Sequence, residues 1–291
     1  MNFTDRHAWF FLVLPALAYF LAFFAYPVYD LFYNSLTSAA GSLTPGNFAF
    51  MLRDPYLPTI LQVTLLFVLG TVALQMAVGV GFALLMNAMT SKLRGVAQMV
   101  AILPLMIPPV VTALMWLLLF NQDYGPLNYF LSLLGLTGPD WLASPNYALL
   151  AVMLTEVWRY SPFVFLIVYA GLRSIPTQLY EAAVIDGPSP IQLFRYVTFP
   201  MLRSSLTVAL ILDTIGALKG FDIIYVLTNG GPGLATTILS MYIYTVGFVF
   251  NDPHYAASLS ILFLAIVLAF VGVMLKFTGL EEYLGLKRGK K

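Results

Sequence analysis

Apolar residues in this chain do not come scattered but in long, nearly unbroken runs. Such runs occupy 8–29, 61–89, 96–120, 147–172, 205–226 and 255–277. Crossing the roughly 30 Å hydrocarbon layer of a bilayer takes about 20 helical residues. The pattern therefore predicts an all-α integral membrane protein of six transmembrane helices, one transmembrane domain over 1–291. The first run looks at first like a signal peptide. Its apolar stretch is longer than an h-region and no convincing small-residue cleavage site follows, so it reads as a retained anchor.

Composition agrees with that pattern. The 291 residues are 60% hydrophobic and only 9% charged, against roughly 25% charged in an ordinary soluble domain. Too little charge remains to coat a solvated surface, which excludes a soluble enzyme, a nucleic-acid binder and a disordered chain. The formal net charge of +1 says nothing about partners. Cysteine is absent, so disulfides, thiolate metal sites and cysteine nucleophiles are excluded, and His7 and His254 are too few for a His-rich metal site.

Lys and Arg set the expected direction of insertion. Arg6, Lys92, Arg94, Arg173, Arg195, Arg203, Lys276, Lys287, Arg288, Lys290 and Lys291 fall on one side, and Arg53 alone on the other. The imbalance predicts cytoplasmic termini and cytoplasmic loops at 90–95 and 173–204. In the third run, Pro104, Pro108 and Pro109 remove backbone donors and tend to kink the helix. Such breaks survive in a bilayer either as packing kinks or where they line a wet cavity.

The loop 173–204 carries helix punctuation at close spacing. Thr177 after Pro176 is a good N-cap, and Gly187 before Pro188 is a good stop. Ser189, Pro190 and Gln192 have the spacing of a second N-terminus with a capping box, which Pro200 should end or kink. The expected object is a sharply bent helix pair. Leu179, Ala182, Ala183 and Phe194 offer it apolar contact points, and Glu181 and Asp186 offer charges. It suits docking of a partner, the alternative being a loop helix lying on the membrane surface.

These residues carry a family resemblance. Glu181-Ala182-Ala183, then Asp186-Gly187, Phe194, Val197 and Phe199-Pro200, resemble the EAA loop of ABC importer permeases, with Val197 and Phe199 in place of the usual Ile and Leu. The stretch from Leu227 through Asn229-Gly230-Gly231-Pro232-Gly233 to Thr236-Thr237 and Tyr242-Ile243-Tyr244 is similar to the carbohydrate, maltose-type branch. So are Tyr255-Ala256-Ala257-Ser258 and the segment 108–134 with Trp116, Gly125 and Asn128. The resemblance implies a bacterial or archaeal cytoplasmic-membrane protein that is not itself an enzyme and forms half of a pathway with a second permease subunit. It implies an ATP-binding subunit dimer as motor, an extracytoplasmic substrate-binding protein, and a sugar, oligosaccharide or polyol as substrate. The chain has no P-loop; ATP and Mg belong to the partner ATPase, and no cofactor is expected on this chain. On this resemblance Glu181, Ala182, Ala183, Asp186, Gly187 and Phe194 couple to the ATPase.

Glu156, Arg159, Asp213 and Lys219 fall inside predicted spans, where a bare charge is expensive and should meet a partner or a cavity. Counting helical rise from the outer ends puts Arg159 at roughly 18 Å and Asp213 at roughly 20 Å, with Glu156 at roughly 13 Å and Lys219 at roughly 10 Å. The matching depths predict two interhelical pairs, Arg159 with Asp213 and Glu156 with Lys219. Glu156, Arg159, Tyr160 and Phe163 share one helix face, and Asp213, Ala217 and Gly220 another. In the family these faces line the sugar site, so the resemblance makes these seven residues substrate-path candidates, and Lys219 joins them as the fourth charge within the spans. Substrate contact, structural pairing and gating all remain open for the charges. A secondary transporter using Glu156 and Asp213 as ion sites is the runner-up function. An importer for a phosphorylated polyol is a further reading, and an intramembrane enzyme ranks last.

Overall fold

The computed structural model describes residues 5–89, 93–185 and 187–278. Asp186, the loop residues 90–92 and the basic tail 287–291 lie outside the described residues. Fourteen α-helices are described: α1 Asp5–Phe20, α2 Tyr26–Ser35, α3 Gly46–Met51, α4 Leu57–Ala88, α5 Arg94–Met106, α6 Pro109–Leu119, α7 Pro126–Leu133, α8 Pro145–Ser174, α9 Thr177–Val184, α10 Pro190–Leu193, α11 Phe199–Leu218, α12 Asp222–Leu227, α13 Leu239–Tyr244 and α14 Pro253–Thr278. Single π-turns join α1 to α2, α10 to α11, and follow α13. The described residues hold no strand beyond one isolated bridge, Thr37 with Leu43.

Four stretches, Val13–Ser35, Leu57–Ala88, Pro145–Ser174 and Pro253–Lys276, are long and apolar enough to cross a membrane by themselves. The third predicted run behaves differently. It is a pair, α5 and α6, bent by 98°. Pro108 is the cause: it forces Ile107 into an extended conformation (ψ 129°), and Pro109 then starts a new helix. The fifth run is also shorter than expected. α11 ends at Leu218, Lys219 and Gly220 break the rod, and Asp222 opens α12. A short helix over 239–249 stands where the sequence reading had only loop.

The chain divides into two compact units. In the first, built from the described residues up to Pro58 and from Tyr242–Ile266, Asp54 is a knot. Its carboxylate accepts from the Tyr242 hydroxyl at 2.6 Å, the Tyr255 hydroxyl at 2.5 Å and the Tyr56 N–H at 2.9 Å. Beside it, His254 Nδ1 lies 3.3 Å from Thr37 Oγ1 and 3.2 Å from the Asn34 carbonyl.

The second unit takes Thr59–Met241 and the described residues from Val267 on. Its helices α4, α8 and α11 cross closely because glycines stand at the crossings. A Cβ on Gly79 would come within 2.6 Å of Val164, and one on Gly171 within 2.3 Å of Ser205 Oγ. Gly81, two residues on from Gly79, faces open space. Around these crossings Ala83, Met86, Val164, Phe165, Val168, Leu172, Leu202 and Ala209 form one buried cluster.

The bent pair after α8 is present. α9 runs to Val184, and Gly187 turns the chain at φ +62°. Ser189 caps α10, accepting from the Gln192 N–H while the Gln192 side chain accepts from the Ser189 N–H, a complete capping box. Two details depart from expectation. Thr177 is the first helical residue and Pro176 holds the cap position, without a side-chain bond. Pro200 neither ends nor breaks the second arm: the π-turn over Phe194–Thr198 immediately before it carries the helical path from α10 into α11. Tyr180 ties the first arm to the buried cluster and places its hydroxyl 3.2 Å from Thr198 Oγ1.

Candidate functional site

Both helix breaks of the second unit open on one cavity of about 220 Å³. Pro109 comes from the α5–α6 bend, and Lys219, Gly220 and Asp222 from the α11–α12 break. α8 contributes Glu156, Arg159 and Tyr160, α11 adds Gly216 and Ala217, and α4 adds Gln75. Irregular backbone within a membrane protein is tolerated where it lines such a space, and of the three prolines Pro109 lines this one.

Arg159 Nη2 donates to Glu156 Oε2 at 2.9 Å, an i,i+3 pair within α8. The guanidinium also lies 5.1 Å from the Tyr160 ring centroid, and Tyr160 stacks on Phe163 at 4.9 Å. Gln75 Nε2 donates to the Glu156 carbonyl at 3.1 Å, so α4 and α8 are tied at the cavity wall. Two polar atoms there have no partner among the described residues: Gln75 Oε1, an acceptor, and Arg159 Nε, a donor.

The two interhelical pairs expected from depth do not form. Arg159 takes Glu156 on its own helix, and no ion pair joins Lys219 to either acid. Asp213 is fully buried, both carboxylate oxygens lack a partner among the described residues, and it does not line the cavity. The reason is geometric. The depth count assumed an unbroken helix to 226, whereas the break at Lys219 changes the relation between α11 and the outer end. A neighbour three residues away on the same helix is also within reach whatever the adjacent helix does. Phe163 supports Tyr160 without lining the cavity itself. Gln75, Pro109 and Asp222 were not among the candidates. Gln75, a long polar side chain in the middle of the apolar run 61–89, was the available signal for the first.

On the bent pair, Glu181 and Ala182 are exposed and Phe194 borders on exposed, tilted against Phe199 at 6.2 Å. Ala183 lines a groove of about 280 Å³ with Pro188, Gln192, Leu193, Tyr196 and Val197. Ile185 is 85% and Ile191 78% exposed, an apolar display that no partner among the described residues covers.

The family model described as binding-protein-dependent transport system inner membrane component matches residues 75–285. The chain belongs to that family. It is a permease subunit of an ABC importer, a transport component and not a catalyst, and ATP hydrolysis is the work of a separate subunit. That membership decides against the gradient-driven and intramembrane-enzyme readings. The permease is 37% identical over 284 residues to the trehalose/maltose transport system permease protein MalF of Thermococcus litoralis, covering 95% of each chain. It is 36% identical to the sulfoquinovosyl glycerol transport system permease protein SmoG of Agrobacterium fabrum, covering 95% of this chain and 92% of that one. Its fold matches a permease chain in the crystal structure of a bacterial ABC transporter involved in import of the acidic polysaccharide alginate. The TM-score is 0.85, with 22% identity over 94% of this chain and 96% of that one.

Proposed function

We propose that this permease forms half of the pathway of an importer for a sugar, oligosaccharide or related polyol, and that the cavity at Glu156, Arg159 and Tyr160 is where the passing solute is held. The observation that carries the reading is the meeting of two broken helices with a polar wall in an otherwise apolar bundle. Sugar hydroxyls both donate and accept. Arg159 Nε and Gln75 Oε1 offer one unmet donor and one unmet acceptor. The Tyr160–Phe163 stack offers an aromatic plate for the apolar face of a ring. Lys219, Ala217 and Gly220 close the far wall. Asp213, on the same helix as Ala217, is buried outside the cavity lining. The relatives are named for trehalose and maltose and for sulfoquinovosyl glycerol, and one 31% identical, UgpA of Agrobacterium fabrum, for sn-glycerol-3-phosphate.

The remaining parts follow the same reading. The bent pair faces the cytoplasm and seats in a cleft of an ATPase subunit through Glu181, Ala182, Ala183, Asp186, Gly187 and Phe194. ATP and Mg are held by that subunit dimer. A second permease completes the pathway, an extracytoplasmic binding protein delivers the solute, and both termini are cytoplasmic. The test is reconstitution of the complete importer in proteoliposomes and a screen of neutral sugars, polyols and their acidic derivatives for stimulated ATP hydrolysis. A stimulating sugar whose effect falls at least tenfold in Tyr160→Ala, with ATPase still bound, is the expected result. Stimulation untouched by Tyr160→Ala and Gln75→Ala removes the cavity from the solute's route.

A further inference from the structure

We propose that a slot between α4, α5 and α8 holds one acyl chain of an anionic membrane phospholipid, with Arg94 receiving the phosphate. The slot encloses about 500 Å³. At about 30 Å³ for a water-sized group, and a methylene is of similar size, that is room for about 16 of them, one acyl chain. Its wall on α4 is Val78, Phe82 and Met86, one residue every four, a stripe that runs about 12 Å along the helix. Ala97 and Ala101 form the facing wall on α5, and their small side chains give the slot its depth. Ser161 is the single polar residue that lines it. A narrow apolar channel parallel to the spans fits a lipid tail and does not fit a hydroxylated solute.

The side of α8 that lines the slot decides between lipid and a second protein chain. Slot residues 157, 158, 161 and 162 and cavity residues 156, 159 and 160 point to opposite sides of the helix, at 3.6 residues per turn. If the cavity side faces the solute pathway, as proposed above, the slot side faces the bilayer. The inference rests on that reading for this step only.

Charge selects the kind of lipid. Arg94 lies one helical turn before Ala97, at the end of α5. Its Nη2 donates to the Tyr169 hydroxyl, and the guanidinium lies 5.4 Å from that ring's centroid. Tyr169 in turn packs against the buried cluster that also anchors Tyr180 of α9. A half-buried arginine is thus held at the slot's mouth, at the end of the bundle that bears the bent pair, with further N–H donors left on its fork for a phosphate. Basic positions between spans on the cytoplasmic side are where anionic headgroups bind.

The experiment uses the assembled importer in nanodiscs of equal phosphatidylglycerol and phosphatidylcholine, released and counted by native mass spectrometry. Wild type is expected to retain one lipid per copy of this chain, with phosphatidylglycerol favoured about fivefold. Arg94→Gln should keep the lipid and lose the preference, Arg94→Lys should restore most of it, and Ala101→Phe should remove the retained lipid. Equal retention of the two lipids by wild type, or an unchanged count in Ala101→Phe, overturns the proposal. So does a crosslink to the second permease from a photoreactive benzophenone side chain placed at Ala101, which would make this face a subunit contact. Should Ala101→Phe fail to assemble, the Arg94 series alone decides. Solute-stimulated ATP hydrolysis is read on the same samples. Its loss from wild type would sink the transport reading while leaving the lipid count as it stands.

Discussion

A carboxylate removed from water must find donors or lose its charge. Asp54 finds four, two of them tyrosine hydroxyls. Burial pushes its pKa up, but the two phenols, the Tyr56 N–H and a backbone bond from Leu57 outweigh that and hold the carboxyl below its ordinary 3.8. The sign is that of a depressed acid. Its contribution is complete above pH 3.8 and is lost as pH falls through the still lower folded value. Asp54→Asn is expected to cost about 1.5–3 kcal/mol at neutral pH, and to flatten the loss of thermal stability that wild type shows below about pH 4. Melting curves in detergent from pH 3 to 7 test both. Glu156 and Arg159 make a second residue-scale prediction. Arg159→Gln strands a buried acid and should destabilise by about 3–5 kcal/mol, whereas Arg159→Gln with Glu156→Gln should recover most of it. Equal melting temperatures for the single and double variants would contradict the pairing. The sequence showed that these charges needed partners. It did not show which, because matched depth is a weaker constraint than spacing of three on one helix.

At the scale of elements, the bent pair was the most legible part of the chain. Gly187, Pro188, Ser189, Pro190 and Gln192 are local punctuation, and local punctuation acts without help from the rest of the fold. A Cβ on Gly187 would meet nothing within 4 Å, so its role is its φ of +62° and not space. Gly187→Asn should therefore retain ATPase binding, since asparagine tolerates this conformation. Gly187→Val should cost about 1–2 kcal/mol locally and loosen ATPase copurification. Similar binding by the two variants would show that the turn is not what the partner reads. The breaks in the third and fifth runs were less legible. Three prolines announced a kink, but the 98° angle depends on Pro108 and Pro109 acting in sequence. Nothing local to Lys219-Gly220 distinguishes a helix end from the many tolerated glycines of membrane spans.

For the whole molecule, hydropathy alone was enough to name an all-helical membrane protein, because the bilayer leaves the backbone no other common solution. Which helices touch was not readable, since it depends on small residues whose neighbours lie far away in sequence. Gly171 illustrates this. Its hydrogen lies where a side chain would strike Ser205 and Leu202. Gly171→Val should force α8 and α11 apart, cost about 1–3 kcal/mol and lower solute-stimulated turnover. Gly171→Ala with Ser205→Gly should recover much of both, as a thermal melt and an ATPase assay would report.

The ion pair at the cavity has a mechanical consequence. Both of its members ride on the same rod, so sliding or tilting that rod against its neighbours breaks no electrostatic clasp. A gate built this way can swing without first tearing opposite charges apart in an oily medium, and the energy drawn from the motor goes into movement instead.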